Sequence, residues 1–475
     1  MRLAERTSED VAVAAAGVKR AKARVTEARS GFFPTLSASA SYTRTFISQF
    51  DDLFDARGGQ MGQAEGAGEL PFGQPNIYQL ALTASQNLFA GGSTLALGRQ
   101  ARANLSISRA ELSSSRAQAV LEAVQAYYDA VLAARLVEIA EATLNQAQQT
   151  LEQTRLEVQE GRKPEFELLR AQVARDNEQP QVVQRRTELE LAHLRLKQVL
   201  DLDAPGRLVL TTELEHDALP ALAPRAKASA AVARRGERVP VQQALDTVRL
   251  QQATVDLQNA AHFPSLTLTS TYARFAYPED LLPSWSDFRT NFNAGLVLQV
   301  PIFEGFATVA RVRAARADLE EARIRVAQTR ELAQYDTEQA RQRLRAAIEV
   351  WRASAGTVEQ AERAYELAEL RYREGVSTQL ELDDARLLLQ RARLNRAVAA
   401  RDLQVARVRW ELLPALPLSV ATPPVVSAPE LDPLGTMGAG APGSGAAATP
   451  GTGASIPGVT DMPGVPWPTG LPGAF

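Results

Sequence analysis

The feature that most restricts the possible folds of this chain is an internal duplication. Residues 33–36 (Phe-Pro-Thr-Leu) return as residues 263–266 (Phe-Pro-Ser-Leu), and in both copies a tyrosine stands nine residues after the first phenylalanine. Further along, two glycines 70 residues apart (91 and 161) recur with the same spacing (305 and 375). A register kept over such a distance predicts two structural units of the same design.

Long helices are predicted between these glycines. Residues 93–160 and 306–374 each contain one glycine and no proline, and at 1.5 Å per residue each helix could reach ~100 Å. Apolar residues recur every seven positions in both segments, which predicts coiled-coil packing against a partner helix. These positions are Val137, Leu144, Leu151 and Val158 in the first copy and Trp351, Val358, Tyr365 and Tyr372 in the second.

A second helix is expected to follow each long one after a tight turn at Gly161 or Gly375. The first return helix is predicted over residues 164–200, where Pro180 should introduce a kink. The second is predicted over residues 378–412, which contain no proline. Each copy therefore contains a helical hairpin.

Four segments before the long helices alternate apolar and polar residues, which predicts strands with one apolar and one polar face. They are residues 35–46, 77–88, 265–275 and 291–302. Their length suits a transmembrane β-strand, and aromatic residues gather near their ends, as in an interfacial girdle: Phe46, Tyr78, Tyr272, Phe275, Tyr277 and Phe288. A soluble antiparallel sheet with one wet face has the same pattern. A membrane barrel needs at least ~8 strands, so the membrane interpretation requires several copies of the chain.

Composition excludes several classes of function. The formal charge of -3 argues against a nucleic-acid-binding protein. The absence of cysteine excludes disulfides and thiol chemistry, and the three histidines have no metal-ligand spacing. No set of acids, bases and nucleophiles converges in the sequence. We therefore predict a protein that is not an enzyme, with no catalytic residues, no cofactor and no metal.

The predicted organisation has three parts. Residues 1–240 form the first repeat, with a helix over 3–30, the two strands, helices 93–160 and 164–200, and a connector over 201–240. Residues 241–415 form the second repeat, with helices over 241–262, 307–373 and 378–412. Residues 416–475 form a tail, in which positions 421–475 hold 11 prolines and 11 glycines. Such a composition predicts disorder.

Three motifs carry a family resemblance. They are the Phe-Pro pair described above, residues 88–92 (Leu-Phe-Ala-Gly-Gly) with residues 301–305 (Pro-Ile-Phe-Glu-Gly), and residues 372–386, from Tyr-Arg-Glu-Gly-Val to Asp-Asp-Ala-Arg. With the order strand, loop, strand, long helix, turn and helix, they resemble the TolC family of outer-membrane efflux proteins over about residues 3–415. The resemblance implies a mainly helical fold with β-strands, in which three copies build a twelve-stranded barrel in the outer membrane, continued by a periplasmic α-barrel.

The same resemblance implies the function and the partners. The protein would be the outer-membrane channel of a tripartite efflux or type I secretion system in a Gram-negative bacterium, working with a periplasmic adaptor protein and an inner-membrane RND or ABC transporter. It would be a homotrimer surrounded by outer-membrane lipid, with no nucleic-acid partner. The family also implies an export signal, which residues 1–6 do not provide because they lack an apolar segment.

Candidate site residues come from the motif positions. Glu381 and Asp384 match the acidic gate pair at the periplasmic entrance, and Tyr372 matches an aromatic residue that is linked to an acid of the first hairpin, here Glu167. Ser377 stands where a basic latch residue can occur, so no salt-bridge latch is expected. The acids also suit the first turns of helices for structural reasons alone.

A soluble coiled-coil scaffold, with strands that merely cap a bundle, is the alternative function. Neither the cargo nor the type of pump follows from the residues.

Overall fold

The structure is a computed structural model of the chain, and it describes residues 3–47, 76–202, 208–214, 237–278 and 281–419. The elements in chain order are α1 (Ala4–Thr7), α2 (Glu9–Ser30), β1 (Thr35–Arg44), β2 (Asn76–Ala90), α3 (Ser93–Gln159), α4 (Glu165–Leu200), α5 (Val239–Ala260), β3 (Ser265–Ala276), β4 (Arg289–Gln299), α6 (Ala307–Arg373) and α7 (Gln379–Leu412). The described residues up to Ser419 form one compact unit, and residues 420–475 lie outside the described residues.

The four strands form one antiparallel sheet in the order β1-β2-β3-β4. Ala38 lies opposite Leu82, Leu82 opposite Tyr272, and Tyr272 opposite Phe292. Residues directly opposite one another share a face of the sheet, so this row defines the apolar face. Ser37, Thr83, Thr271 and Asn293 form the neighbouring row on the polar face. Every residue of β1 and β4 is exposed, and both are edge strands.

The helices pair as the heptads predict. Helix α3 packs along α4, α6 packs along α7, and α3 also contacts α7. Within the second hairpin, Tyr365 and Tyr372 are buried in one cluster with Leu382 and Leu389. A larger cluster joins the middle of α3 to α7 around Val120, Val124, Tyr128, Val408 and Leu412. Within the described residues, no helix has both the length and the apolar composition needed to cross a membrane.

Several observed boundaries differ from the sequence predictions. The helix expected over 3–30 is interrupted at Ser8, whose backbone is not helical (φ -58°, ψ 121°). The strand expected over 291–302 runs from Arg289 to Gln299, because Pro301 has no N–H to donate to a strand ladder. Helix α4 runs unbroken past Pro180, and the kink expected there stays a prediction.

The start of the predicted tail was placed too early. Leu416 is 3% exposed and belongs to the cluster between α3 and α7, and the described chain continues to Ser419. Arg238 helps to fix this segment: its guanidinium lies 2.8 Å from the Asp336 carboxylate and donates to the Leu416 carbonyl at 3.4 Å. Apolar residues beyond α7 therefore extend the core up to the proline- and glycine-rich part of the chain.

Parts of three predicted regions lie outside the described residues. They are positions 48–75 of the first loop, positions 203–207 and 215–236 of the connector, and positions 420–475 of the tail. In the described part of the connector, Leu214 is buried in the α3–α7 cluster.

Gly91 offers a test of the junction between the sheet and the helices. It has φ +60°, and a Cβ atom there would lie 2.4 Å from the Ala260 carbonyl oxygen. Gly305 has nearly the same φ, +59°, but open space around it. Both alanine substitutions incur backbone strain, and only Gly91→Ala adds a steric clash. We expect Gly91→Ala to lower the free energy of unfolding by at least about 1 kcal/mol more than Gly305→Ala, measured by thermal denaturation in detergent. Equal losses would contradict this packing.

Candidate functional site

The two helical hairpins end in turns of the same geometry. Gly161 and Gly375 both have positive φ, +70° and +71°, and a residue after each glycine donates its N–H to a carbonyl of the preceding helix: Arg162 to Glu157 at 2.8 Å, and Val376 to Arg371 at 2.9 Å. Glycine suits this left-handed conformation because it has no Cβ. The turns place the ends of α3 and α6, and the starts of α4 and α7, at the hairpin tips.

Tyr372 joins the two tips. Its side chain is 2% exposed, and its hydroxyl shares a hydrogen bond with the Thr154 hydroxyl, with an O···O distance of 2.8 Å. The Lys163 ammonium lies 3.5 Å from the centroid of the Tyr372 ring, a cation–π contact. Thr154 and Lys163 belong to the first hairpin and Tyr372 to the second, so these contacts tie the hairpins together.

Lys163 is also held by an acid of its own hairpin. Its Nζ lies 2.6 Å from a carboxylate oxygen of Glu157, whose other oxygen accepts from Gln153 Nε2 at 3.1 Å. Burial alone would raise the pKa of Glu157, but the contacts with Lys163 and Gln153 lower it overall. For Lys163 burial acts to lower the pKa, and the contacts with Glu157 and Tyr372 raise it overall. Thr154, Glu157, Lys163 and Tyr372 form what we call the tip clasp.

Glu167 has a different partner from the one expected. Gln379, which is 1% exposed, is satisfied when its amide nitrogen faces Glu167: Nε2 then donates to the carboxylate at 2.8 Å and to the backbone carbonyl at 3.0 Å, while Oε1 accepts from the Ala171 N–H at 3.1 Å. The structure therefore pairs Glu167 with Gln379 and Tyr372 with Thr154. It does not join Tyr372 to Glu167: the Tyr372 hydroxyl meets Thr154, and the Glu167 carboxylate faces Gln379.

Glu381 and Asp384 lie in the first turns of α7 and are exposed. Thr378 accepts a hydrogen bond from the Glu381 N–H at 3.4 Å, while the Glu381 carboxylate lies 3.8 Å from Arg371. Between the two acids, Asp383 is largely buried beside Arg386 at 3.3 Å. Burial raises the pKa of Asp383, opposed by the charges of Arg386 and Arg170.

Sequence reasoning missed Thr154, Glu157, Lys163 and Gln379. The duplication offered a partial signal for Gln379, which stands at the position of Glu165 in the first copy. Lys163 is a basic residue in the turn of the first hairpin, whereas a basic latch residue was sought in the second. Within the described ranges, no group of three or more His, Cys, Asp or Glu residues could hold a metal ion.

The sequence matches the family of outer membrane efflux proteins over residues 1–201 and 235–413. The chain belongs to this family. The resemblance to the TolC family is thereby confirmed, and so are the outer-membrane location and the role as an efflux channel. The soluble scaffold is therefore set aside. Members of the family are channels rather than enzymes, in agreement with the lack of a convergent catalytic set in the sequence.

Solved channel structures share the fold. The CmeC outer membrane channel of Campylobacter jejuni is 18% identical, with a TM-score of 0.70 and coverage of 88% of this chain and 85% of that one. The open state of the MtrE channel of Neisseria gonorrhoeae is 18% identical, with a TM-score of 0.70 and coverage of 88% of each chain. VceC of Vibrio cholerae is 18% identical, with a TM-score of 0.68 and coverage of 86% and 94%. No curated protein sequence gives a significant match.

The tip clasp leads to a prediction about pH. Because the pKa of Glu157 is lowered in the folded protein, its contribution to stability is present above its unfolded pKa of ~4.3 and is lost as the pH falls through the folded value. We expect Glu157→Gln to destabilise the tips by about 1–2 kcal/mol at neutral pH and to weaken the loss of protection on acidification. Hydrogen exchange of the tip amides, corrected for intrinsic rates, measures both effects.

The matched control is Glu160→Gln. Glu160 pairs with Arg162 in the same turn, but both side chains are more than half exposed, so the substitution should change tip stability by no more than about 0.5 kcal/mol. Equal effects of the two substitutions would show that the buried pair has no special role.

Proposed function

We propose that the protein acts as a homotrimeric duct whose hairpin tips form a closable periplasmic entrance, engaged by a periplasmic adaptor protein and an inner-membrane RND or ABC transporter. Three sheets of four strands would give a closed barrel of twelve, and the helices would continue the tunnel into the periplasm. The observation that carries this proposal is the open edge on each side of the sheet.

The strand edges support closure by other copies. Within the described residues, β1 pairs only with β2 and β4 only with β3, so each has a row of backbone N–H and C=O groups without strand partners. In hydrocarbon each unsatisfied group costs several kcal/mol, so a membrane sheet must close on itself. Four strands are too few for a barrel. Pairing β4 of one copy with β1 of the next removes every edge.

Helix α4 supports the same assembly. Along one side it carries apolar residues that are more than half exposed: Phe166, Leu169, Val173, Val183, Leu191 and Leu194. Their successive intervals of 3, 4, 10, 8 and 3 residues keep them on one side of the helix, where a partner helix could pack. Helix α7 shows exposed Leu380 and Leu387 at a seven-residue interval. A helix of a neighbouring copy would cover each of these apolar surfaces.

Contacts between the hairpin tips support the proposal of a gate. The tip clasp and the Gln379–Glu167 contact hold the two hairpins of one copy together, so separating the second hairpin from the first requires breaking both. Glu381 and Asp384 stay exposed, and three copies of each would form an acidic ring around the entrance. Engagement of the partners would then act by weakening the contacts between hairpins.

The acidic ring is tested by single-channel recording. Wild-type protein in a planar bilayer should conduct with a preference for cations, and Glu381→Ala/Asp384→Ala should reduce that preference severalfold, because the negative charge that concentrates cations is removed. Glu165→Ala is the control, since it removes an exposed acid from the tip of the first hairpin. Unchanged selectivity in the double variant would contradict the ring, and a wild-type protein that does not insert into the bilayer would contradict the duct itself.

A further inference from the structure

Two arginines lie on the apolar face of the sheet, near the end where the strands are joined by loops. Arg274 of β3 is opposite Leu80 on one side and Thr290 on the other, two residues before β3 ends at Ala276. It therefore shares the face of Leu82 and Tyr272, about 7 Å inside the end of the strand. Arg44, the last residue of β1, follows Tyr42 on the same face.

Neither guanidinium has an acidic partner within the described residues. Arg274 stacks on Trp285, with Cζ 4.8 Å from the ring centroid, and Arg44 lies 5.7 Å from the ring of Phe46. The Nε of Arg274 is buried without a hydrogen-bond partner. A stacked guanidinium keeps the N–H groups at its edge available for a planar or tetrahedral anion. Both arginines thus have unused donors.

The loop between β3 and β4 holds aromatic side chains next to the two arginines. The Tyr78 hydroxyl donates to the Leu281 carbonyl, and Ser284 and Asp287 form a capping box around Trp285. The ring centroids of Trp285 and Phe288 are 5.5 Å apart. Tyr42 stacks on Tyr78, with 4.6 Å between their ring centroids. Tyrosine and tryptophan favour the membrane–water interface, so the arginines stand at the level of lipid headgroups. At that level an arginine on a lipid-facing strand is well tolerated, whereas at the midplane of the bilayer it is strongly destabilising.

We propose that Arg274 binds a phosphate group of an anionic lipid in the outer leaflet, and that Arg44, nearer the end of the sheet, meets a separate anionic group. The proposal rests on the proposed function, because it requires the apolar face of the sheet to meet lipid. Guanidinium and phosphate form paired, charge-assisted hydrogen bonds that are stronger than neutral ones, and the neighbouring tyrosines and Trp285 would pack against the remainder of the headgroup. The lipid would fasten the loop end of the sheet to the membrane surface.

The test compares variants that remove positive charge from opposite faces. Arg44→Gln/Arg274→Gln changes the apolar face. The control is Arg289→Gln: Arg289 lies opposite Phe275, one position from the level of Arg274 but on the polar face. The full-length protein in neutral detergent is titrated with lipid A, a phosphorylated glycolipid, with phosphatidylcholine and with inorganic phosphate, and the shift of the unfolding temperature is recorded.

We expect lipid A to stabilise the wild-type protein and the Arg289→Gln variant with similar affinity, and the double variant to bind at least about tenfold more weakly, the equivalent of ~1.4 kcal/mol. Phosphatidylcholine and inorganic phosphate should give no comparable shift. The proposal is overturned if Arg289→Gln loses as much affinity as the double variant, if neither variant loses affinity, or if inorganic phosphate produces the same stabilisation as lipid A.

Channel recording separates this proposal from the proposed function. The double variant should conduct like the wild type, because neither arginine faces the lumen. A conducting wild type with unaltered lipid A binding in the double variant would reject the lipid site alone. A wild type that does not insert into the bilayer would remove the premise that the apolar face meets lipid.

Discussion

The backbone hydrogen bonds of the two outer strands constrain the whole molecule. A strand in water can leave its edge groups to the solvent, but a strand in lipid cannot. Four strands with an apolar face and two open edges therefore suit a membrane only as part of a larger closed sheet. Helices α2, α3, α5 and α6 each adjoin one strand, and in the proposed assembly they would continue the wall that the strands begin. The proposed assembly would in this sense complete the sheet.

The contacts at the hairpin tips have a different character. They are few, and they combine a buried tyrosine, a lysine with its glutamate, and a glutamine facing a second glutamate. Such an arrangement is stable when every member is paired and weak once one is removed. A gate needs this property, because it must hold at rest and yet yield to the modest free energy that a docking partner provides. The lysine of these contacts comes from the first hairpin, whereas the second hairpin has Ser377 in its turn.

The sequence was most informative where a repeat or a period covered many residues. The 70-residue spacing and the heptads predicted both long helices to within about one or two residues, and alternation located all four strands. The ends of helices and strands were less predictable, because each depends on a single residue. Ser8 interrupts the helix expected over residues 3–30, and Pro301 ends the strand expected over residues 291–302. The tip contacts could not be predicted, because Lys163 and Tyr372 are 209 residues apart and their meeting depends on how two hairpins pack. The surroundings of Arg274 could also not be predicted, because they depend on the pairing register of the strands, which places this residue among apolar ones.

Cross-linking between copies tests the central claim most directly. The chain has no cysteine, so a single cysteine at Ala38 in β1 can be combined with one at each position of β4 in turn. Paired strands bring opposite Cα atoms to about 4.5–5.5 Å, within the range of a disulfide. The account predicts that some of these pairs, oxidised in membranes, give a covalent species of three chains on a non-reducing gel. Monomers alone, at every pair tested, would contradict the closure of the sheet by neighbouring copies.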